Sequence, residues 1–234
     1  MQGKERICGF WVERFPQKPD YLPITQEEFE QHTLDAWCGS SDKDNRIAAV
    51  FHGRPQEWDV LCRDENFSVR GAVACHSSER HQLILVGDSE PVIRKRLAIY
   101  GTDKVRNALL DKGETDLDVL TEIAKYGSTT TRHKLVDMAW DRPEILQHIA
   151  RYLPASAIDK LLTHPNMEVR IDAAIHGSRS QCLRALEMPY PSHNITLVFM
   201  RDRLIDRLKE LDEVAMALGL AVPKIRKMEM ELSR

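Results

Sequence analysis

Histidine, cysteine and arginine are the side chains of this chain that could do chemistry, and their spacing does not suit catalysis. The chain has nine His and five Cys, residue types that bind metals or act as nucleophiles. The cysteines are scattered singly: Cys8, Cys38, Cys62, Cys75 and Cys182. No two of them have the spacing of a zinc site, and the sequence contains no serine-nucleophile, zinc-protease or phosphate-loop motif. We therefore predict no catalytic residue, no metal and no cofactor, and a reducing, cytoplasmic setting.

Histidine or tyrosine recurs at one position of a repeated segment. The six residues are His52, His76, Tyr100, Tyr126, Tyr152 and His176. Rings one repeat apart would be separated by about 10 Å, the usual distance between packed helices, which is too far to share a metal ion. We interpret this column as amphipathic rings that fill the gap between repeats and bond a turn with their polar tips.

Arginine recurs at another position of the same segment, in Arg46, Arg70, Arg94 and Arg170. Such a column could bind phosphates or acidic peptides. However, Asp64 and Asp88 stand six residues before Arg70 and Arg94, across a turn. We favour a structural role, in which the planar guanidinium group bonds this preceding carboxylate and the carbonyls of the turn.

The repeat becomes visible when six segments are aligned at a spacing of 24–26 residues. They begin at Asn45, Val69, Ile93, Val119, Ile145 and Val169. Apolar residues at i, i+4 and i+7 mark one face of a short helix, and a Gly follows as a helix stop in four of the six segments. A second short helical stretch then ends in an apolar pair such as Leu109-Leu110. Because such a repeat cannot bury its own apolar face, stacked repeats must share one core.

The pattern D-x-x-x-x-V-R-x-x-V-A within this period resembles the leucine-rich repeat variant and the related HEAT-like families. It is carried by Asp64, Val69, Arg70, Val73 and Ala74, and again by Asp88, Ile93, Arg94, Leu97 and Ala98. The resemblance covers roughly residues 45–190, although Leu120 and Leu146 replace the arginine in the central repeats. It implies a right-handed superhelix of paired short helices that binds a partner along one face. Cys8 and Cys38 alone do not supply the iron–sulfur cluster of the variant family, so we expect none.

Together these observations predict an all-α fold, a right-handed α-solenoid of about six helical-pair repeats. We expect an N-terminal capping region over residues 1–44, the solenoid over 45–192, and a C-terminal capping helix and tail over 193–234. Thr25 and Glu28 form a capping box that opens a helix, and Phe10, Trp11 and Phe15 should cover the first repeat. A long amphipathic helix should end at Gly219, followed by a loose helix from Pro223.

The charge balance and the hydropathy of the sequence argue against two classes of protein. Lys and Arg number 33 and Asp and Glu 36, giving a net charge of -3, which does not favour bulk nucleic-acid binding. No apolar run is long enough for a signal peptide or a membrane span, so we expect no membrane association.

The strongest candidate site is a mostly basic stripe on the first helices of the middle repeats, beside a Trp-Asp-Arg turn. The candidate binding residues are Lys95, Arg96, Lys125, Trp140, Arg142, His148 and Arg151. Aromatic and arginine residues dominate the energetic centres of protein interfaces. An ordinary solvated surface would have the same composition, so this site is a hypothesis.

The function we predict is that of a non-enzymatic adaptor that binds another protein or peptide. Two alternatives stay open. A nucleic-acid-binding HEAT-like module with base-excision activity would use Trp140, Asp141 and nearby basic groups. A structural protein would instead form a homodimer through the C-terminal helix.

Overall fold

A computed structural model describes residues 4–20, 22, 25–189 and 195–222. These residues form fourteen α-helices and one β-hairpin, so the predicted all-α class is confirmed apart from the hairpin. The chain divides between Met138 and Ala139 into two compact units, each described by itself. None of the described helices is both long and apolar enough to span a bilayer.

The first compact unit contains the hairpin, one leading helix and four helical pairs. Its elements are β1 (Lys4–Ile7), β2 (Phe10–Glu13), α1 (Gln26–Cys38), α2 (Lys43–His52), α3 (Pro55–Leu61), α4 (Phe67–His76), α5 (Glu79–Ile84), α6 (Pro91–Tyr100), α7 (Asp103–Asp111), α8 (Leu117–Tyr126) and α9 (Thr129–Met138). First helices pack on first helices, α2 on α4, α4 on α6 and α6 on α8, while α5 packs on α7 and α7 on α9.

The second compact unit contains two helical pairs and one long helix. Its elements are α10 (Pro143–Ile149), a 3-10 turn (Ala150–Tyr152), α11 (Ala155–Leu161), α12 (Met167–Ile175), α13 (Arg179–Leu186) and α14 (Ile195–Ala217). The α12 helix is central, because α10, α11, α13 and α14 all pack on it.

Alanine lies where the first helices of the first compact unit meet. Ala74, Ala98 and Ala124 in α4, α6 and α8 are completely buried. A methyl side chain at this position lets neighbouring helices approach closely, and the apolar residues around it fill the remaining space. The alanine column of the sequence is therefore a core position.

Five of the six first helices end with a carbonyl group bonded by a side chain from the second helix of the same pair. The donor stands eight residues after the carbonyl that it bonds. The pairs are Trp58 with Val50, Gln82 with Ala74, Arg106 with Ala98, Arg132 with Ala124 and Cys182 with Ala174. These bonds satisfy acceptors that a helix C-terminus otherwise leaves without partners.

The predicted glycine stops are in the right place but act differently from a left-handed cap. Gly101, after α6, has a negative φ of -74°. A Cβ there would lie 2.5 Å from the carbonyl oxygen of Leu97 and 2.9 Å from Val105 Cγ1. Close approach of the following helix, and not a positive φ, therefore accounts for this glycine.

The arginine column is structural, but its partners differ from those predicted. Arg70 Nε and Nη2 donate to the carboxylate of Asp88, 18 residues further on, at 2.7 and 3.0 Å. Its Nη1 donates to the backbone carbonyl oxygen of Asp64 at 2.9 Å, so the expected ion pair with the Asp64 carboxylate is wrong. Arg46 binds Asp64 in the same way. Each rung of this arginine ladder thus ties one repeat to the next.

The third rung pairs Arg94 with Glu114, a carboxylate that the sequence pattern did not single out. Arg94 Nε and Nη2 donate to Glu114 at 2.7 and 3.2 Å. Burial raises the pKa of Glu114, but hydrogen bonds from Arg94 and from the backbone N–H groups of Asp116 and Thr115 outweigh it, so the pKa is lowered. Glu114 is thereby held as a carboxylate in the core of the turn.

The histidine and tyrosine column is more exposed than predicted. Tyr100 and Tyr126 are 44% and 43% exposed, and His76 and His176 are also exposed. The interpretation of these rings as fillers of the gap between repeats is therefore wrong for Tyr100 and Tyr126, whereas the His76 ring packs against Phe51 of the preceding repeat at 4.9 Å. They lie at the last turn of each first helix, where one side faces solvent.

The N-terminal segment covers α2, as the capping role required: of the three predicted residues, Phe10 and Phe15 pack there and Trp11 does not. Val12 is buried, and the Phe10 ring lies 5.9 Å from that of Phe51. Trp11 points the other way and is 62% exposed, because successive residues of a strand face opposite sides. The capping box of Thr25 at the start of α1 is confirmed.

The C-terminal helix begins as a cap on its own compact unit and ends in solvent. Leu197, Leu204 and Leu208 lie in one buried cluster with residues of α12 and α13. Further on, Val214 and Leu218 are exposed. The predicted stop is confirmed, since Gly219 has a positive φ of 71°. The loose helix expected from Pro223 lies outside the described residues.

Replacing Ala124 tests the close contact between first helices. We expect Ala124→Leu to lower the free energy of unfolding by roughly 1–3 kcal/mol, because the added atoms overpack a site with no free space. Chemical denaturation of the purified chain measures this. Ala155→Leu, at the exposed start of α11, is the matched control and should change stability by less than about 0.5 kcal/mol. Unchanged stability of Ala124→Leu would contradict the close contact.

Glu114→Gln tests the arginine ladder while keeping the shape of the side chain. At pH 7 we expect a loss of about 3 kcal/mol, since Arg94 is left without its buried carboxylate. A carboxyl group with a lowered folded-state pKa stabilises the fold above its unfolded value, near 4.5, and this stabilisation is lost as pH falls through the folded value. The difference between wild type and variant should therefore vanish in acid.

The matched control is Asp118→Asn, which removes the exposed partner of Lys95. Exposed ion pairs contribute little, so this variant should lose less than about 1 kcal/mol. Equal losses from the two substitutions, in urea unfolding at pH 7, would show that the ladder does not hold repeats together.

Candidate functional site

Three of the predicted binding residues, Lys95, Arg96 and Lys125, lie in the first compact unit. Of these, Arg96 holds the hairpin. Arg96 Nη1 donates to the carbonyl oxygen of Cys8 at 3.3 Å and to Cys75 Sγ at 3.1 Å, and its guanidinium lies 4.5 Å from the Phe10 ring. Cys8 has a positive φ of 49° at the hairpin turn, a strained conformation for a residue with a side chain. Arg96 therefore fixes this turn on α4 and α6.

The two lysines of the predicted stripe have acidic neighbours. Lys95 Nζ lies 2.8 Å from Asp118. Lys125 Nζ lies 3.9 Å from Glu122 and 4.8 Å from the centre of the Tyr126 ring. Their charges are thus partly neutralised, and in this compact unit the stripe is less basic than the sequence indicated.

Trp140 and Arg142 lie at the beginning of α10 in the second compact unit. The Trp140 ring meets the His164 ring at 4.6 Å, and Lys160 Nζ lies 5.3 Å from its centre. His164 Nδ1 accepts from the backbone N–H of Asn166, so its Nε2 carries the hydrogen that is donated to the Trp140 carbonyl oxygen. Trp140 thus joins the turn before α10 to the turn before α12.

The α10 helix starts without a side-chain cap. It begins at Pro143 with Arg142 in the cap position and no side-chain cap bond. Arg142 Nε lies 3.9 Å from Glu144. Asp141 is exposed.

His148 and Arg151, the last two predicted residues, come together at the other end of α10. They line a cavity of about 260 Å³, here called the basic pocket, whose walls are Gln147, His148, Arg151, Tyr152, His176 and Arg203. A seven-residue helix is about 10 Å long, so Trp140 and Arg151 lie at opposite ends of α10. The predicted aromatic anchor and the basic residues are therefore separate features of this unit.

A local break in the repeat pattern positions Arg151 and Tyr152. Ile158 stands eight residues after Ala150, where other pairs have a side-chain donor, and an isoleucine cannot donate. The backbone instead tightens into a 3-10 turn, in which the N–H of Leu153 donates to the Ala150 carbonyl oxygen at 3.1 Å. Such a turn satisfies the helix end without a side chain, and it presents Arg151 and Tyr152 to the pocket.

The other walls come from α12 and α14. On α12, Asp172 and His176 are one helical turn apart, and on α14 Arg203 and Arg207 have the same spacing, so each pair shares a helix face. Arg207 Nη1 is bound to Glu210 at 3.1 Å. The pocket thus collects charged groups from three elements of one compact unit.

The surroundings of His176 lower its pKa. Burial lowers its pKa; Asp172 opposes this, and Arg151, Arg203 and Arg207 lower the pKa further. Burial raises the pKa of Asp172, and His176, Arg203 and Arg151 counteract that rise. Arg207 is paired with Glu210, but Arg151 and Arg203 together still outnumber Asp172 as charges acting on His176, so the field at this site favours an anion.

Arg151 and Arg203 differ from the ladder arginines in having no carboxylate partner. Among the described residues, neither forms a hydrogen bond or an ion pair, and the guanidinium of Arg151 lies 6.0 Å from the centre of the Tyr152 ring. Each guanidinium keeps five N–H donors for a ligand. The basic pocket can therefore bind an anionic group through two arginines from different helices.

Sequence reasoning found His148 and Arg151 but missed the other side of the pocket. Tyr152 and His176 were assigned to a structural column, and Arg203 lies on a helix that was considered only for its apolar positions. One signal was available: Arg203 and Arg207 are four residues apart on the polar face of α14.

Comparison of the chain with protein-family models, with curated proteins and with solved structures gave no match. The resemblance to the leucine-rich repeat variant and HEAT-like families therefore stays a prediction from the sequence pattern. The geometry of the basic pocket is therefore the basis for its proposed function.

Proposed function

We propose that this chain is a non-enzymatic adaptor that binds an acidic segment of another protein at the basic pocket. The observation that carries the proposal is the pair of arginines, Arg151 and Arg203, which line one cavity without a carboxylate partner among the described residues. Guanidinium groups bind carboxylates and phosphates through two parallel hydrogen bonds. Arginine is also among the residues that dominate binding energy at protein interfaces.

In this proposal the helical pairs form a right-handed α-solenoid of about six repeats, located in the cytoplasm. Six helical pairs at a spacing of 24–26 residues support the solenoid, as does the packing of α2, α4, α6 and α8 on one another in chain order. A solenoid offers a rigid scaffold, which reduces the entropy lost when a partner binds.

The nucleic-acid alternative has less support. A base-excision site would need an aromatic side chain free to stack on a base, whereas the Trp140 ring already contacts His164. On α14, the exposed Asp202 and Asp206 stand beside the arginines. A phosphate backbone needs a continuous track of cations, and these carboxylates interrupt it.

Self-assembly is a second candidate, favoured by the exposed apolar end of α14. Val214 is 57% exposed, and Leu218, one turn further, is 70% exposed. Contiguous exposed apolar residues mark contact surfaces. Sedimentation equilibrium at several concentrations tests this candidate. It predicts a dimer that Val214→Glu with Leu218→Glu returns to monomer mass, and a wild-type monomer at all concentrations would rule it out.

The adaptor proposal predicts that a partner is captured only when both pocket arginines are present. Tagged chain and an Arg151→Glu/Arg203→Glu variant are incubated with source lysate after nuclease treatment, and retained proteins are identified by mass spectrometry. We expect the variant to retain at least tenfold less partner, since each charge-assisted hydrogen bond contributes about 1.5–3 kcal/mol and 1.4 kcal/mol is a tenfold change.

The matched control reverses two exposed charges of the first compact unit, Arg80→Glu and Lys104→Glu, which changes the net charge equally. It should capture the partner as wild type does. Equal capture by the pocket variant would show that the pocket is not the binding surface. A partner lost on nuclease treatment would favour the nucleic-acid alternative.

A further inference from the structure

We infer that the ligand of the basic pocket is a phosphate monoester, carried by a phosphorylated side chain of the partner protein. This inference rests on the proposed function, because it names the chemical group that the partner would insert.

The two arginines approach the cavity from different elements. Arg151 belongs to the 3-10 turn after α10, and Arg203 to the middle of α14. Both side chains line the cavity, and neither has an ion pair or hydrogen bond among the described residues. Two forked donors on separate elements can each bind a different pair of oxygens. A phosphate monoester has three terminal oxygens and can satisfy both, whereas a carboxylate has only two.

The remaining walls add donors in further directions. Tyr152 carries a hydroxyl group, and His148 and His176 each carry a ring N–H when neutral. The Gln147 amide lies 3.5 Å from Glu168, a long contact that can be exchanged. Donors that surround a cavity suit a tetrahedral anion better than a planar one.

The size of the cavity is compatible with a phosphorylated side chain. Its volume of about 260 Å³ lies just below the range of about 300–1,000 Å³ that is usual for drug-sized ligands. It therefore accommodates a phosphate group together with the side chain that carries it.

The charge distribution favours a monoester over the diester of a nucleic acid. The charged groups that act on His176 are Asp172 and three arginines, of which Arg207 is paired with Glu210. A monoester carries a charge of about -1.5 to -2 at pH 7, whereas each phosphate of a nucleic acid carries only one. The exposed Asp202 and Asp206 end the basic surface along α14. Positive charge is thus concentrated at one point, as an isolated dianion requires.

His176 supplies a signal that reports binding. In the free chain its pKa is lowered by burial and by Arg151, Arg203 and Arg207, against the opposing effect of Asp172. The nearby groups on other elements are thus the arginines of the 3-10 turn and of α14, together with His148. A bound dianion adds negative charge beside the ring and must raise the pKa of His176. Above pH 6, where the phosphate is mostly dianionic, affinity should therefore increase as pH falls.

Histidine ring signals in heteronuclear NMR spectra of the full chain test the inference. The probes are a serine phosphate blocked at both ends, the corresponding blocked aspartate, and dimethyl phosphate as a diester. We expect the serine phosphate to shift the His148 and His176 signals and to raise the His176 pKa. Binding of blocked aspartate and dimethyl phosphate should be at least tenfold weaker.

Two single variants and one control connect this binding to the pocket. Arg151→Gln and Arg203→Gln should each weaken serine phosphate binding at least tenfold, whereas Arg80→Gln, in the first compact unit, should leave it unchanged. Arg151 and Arg203 are exposed, so thermal melting should show both variants folded as wild type. Equal binding of aspartate and serine phosphate, or binding unaffected by both substitutions, would overturn the inference.

Phosphatase treatment of the lysate separates this inference from the proposed function. If a partner is captured in an Arg151- and Arg203-dependent way and capture is lost after phosphatase, both stand. If such capture survives phosphatase, the adaptor function stands and the phosphate inference is wrong. If serine phosphate binds as expected but no protein is captured, the phosphate site stands and the adaptor function fails.

Discussion

The carbonyl end of each short first helix is the constraint on which the rest of this structure depends. Helices of seven to ten residues are not stable alone in water, and each leaves its last carbonyl groups without partners inside the helix. A donor eight residues further on supplies the partner in five pairs, for example Gln82 for Ala74 and Arg106 for Ala98. The same bonds fix the second helix against the first. The same side-chain bonds therefore stabilise the end of the first helix and hold the two helices of the pair together.

The basic pocket lies where the side-chain donor of the other helical pairs is missing. With Ile158 in the donor position, the chain satisfies Ala150 through a backbone 3-10 turn. That turn carries Arg151 and Tyr152 to the cavity. In the first compact unit the arginines instead stabilise the fold, because Arg70, Arg94 and their carboxylates tie neighbouring repeats together. The ladder arginines are thus structural because a carboxylate stands 18 to 20 residues further on, whereas Arg151 has no such carboxylate and stays available for binding.

The sequence predicts what depends on near neighbours. Period and apolar spacing located the twelve short helices, and the capping box located the start of α1. The hairpin was missed because four-residue strands joined by Cys8 and Gly9 carry no common turn signal. The carboxylate partner of Arg70 was assigned to Asp64, six residues away, although the chain brings Asp88 closer. Arg203 stands more than fifty residues from Arg151, so only the packing of α14 on α12 places both at one cavity.

The arginine ladder also has a direction, and this has a consequence for how such a chain can change length. Every rung reaches forward, from the first helix of one repeat to the turn that precedes the first helix of the next repeat. The ion pairs end at Arg94, because Leu120 and Leu146 replace the arginine in the next two repeats. Arg170 returns in the last repeat, but its buried Nε has no hydrogen-bond partner among the described residues. An insertion or deletion of a few residues between two rungs would move an arginine away from its carboxylate. Gene duplication of one whole period copies both halves of a rung together, so growth in complete repeats preserves every ion pair.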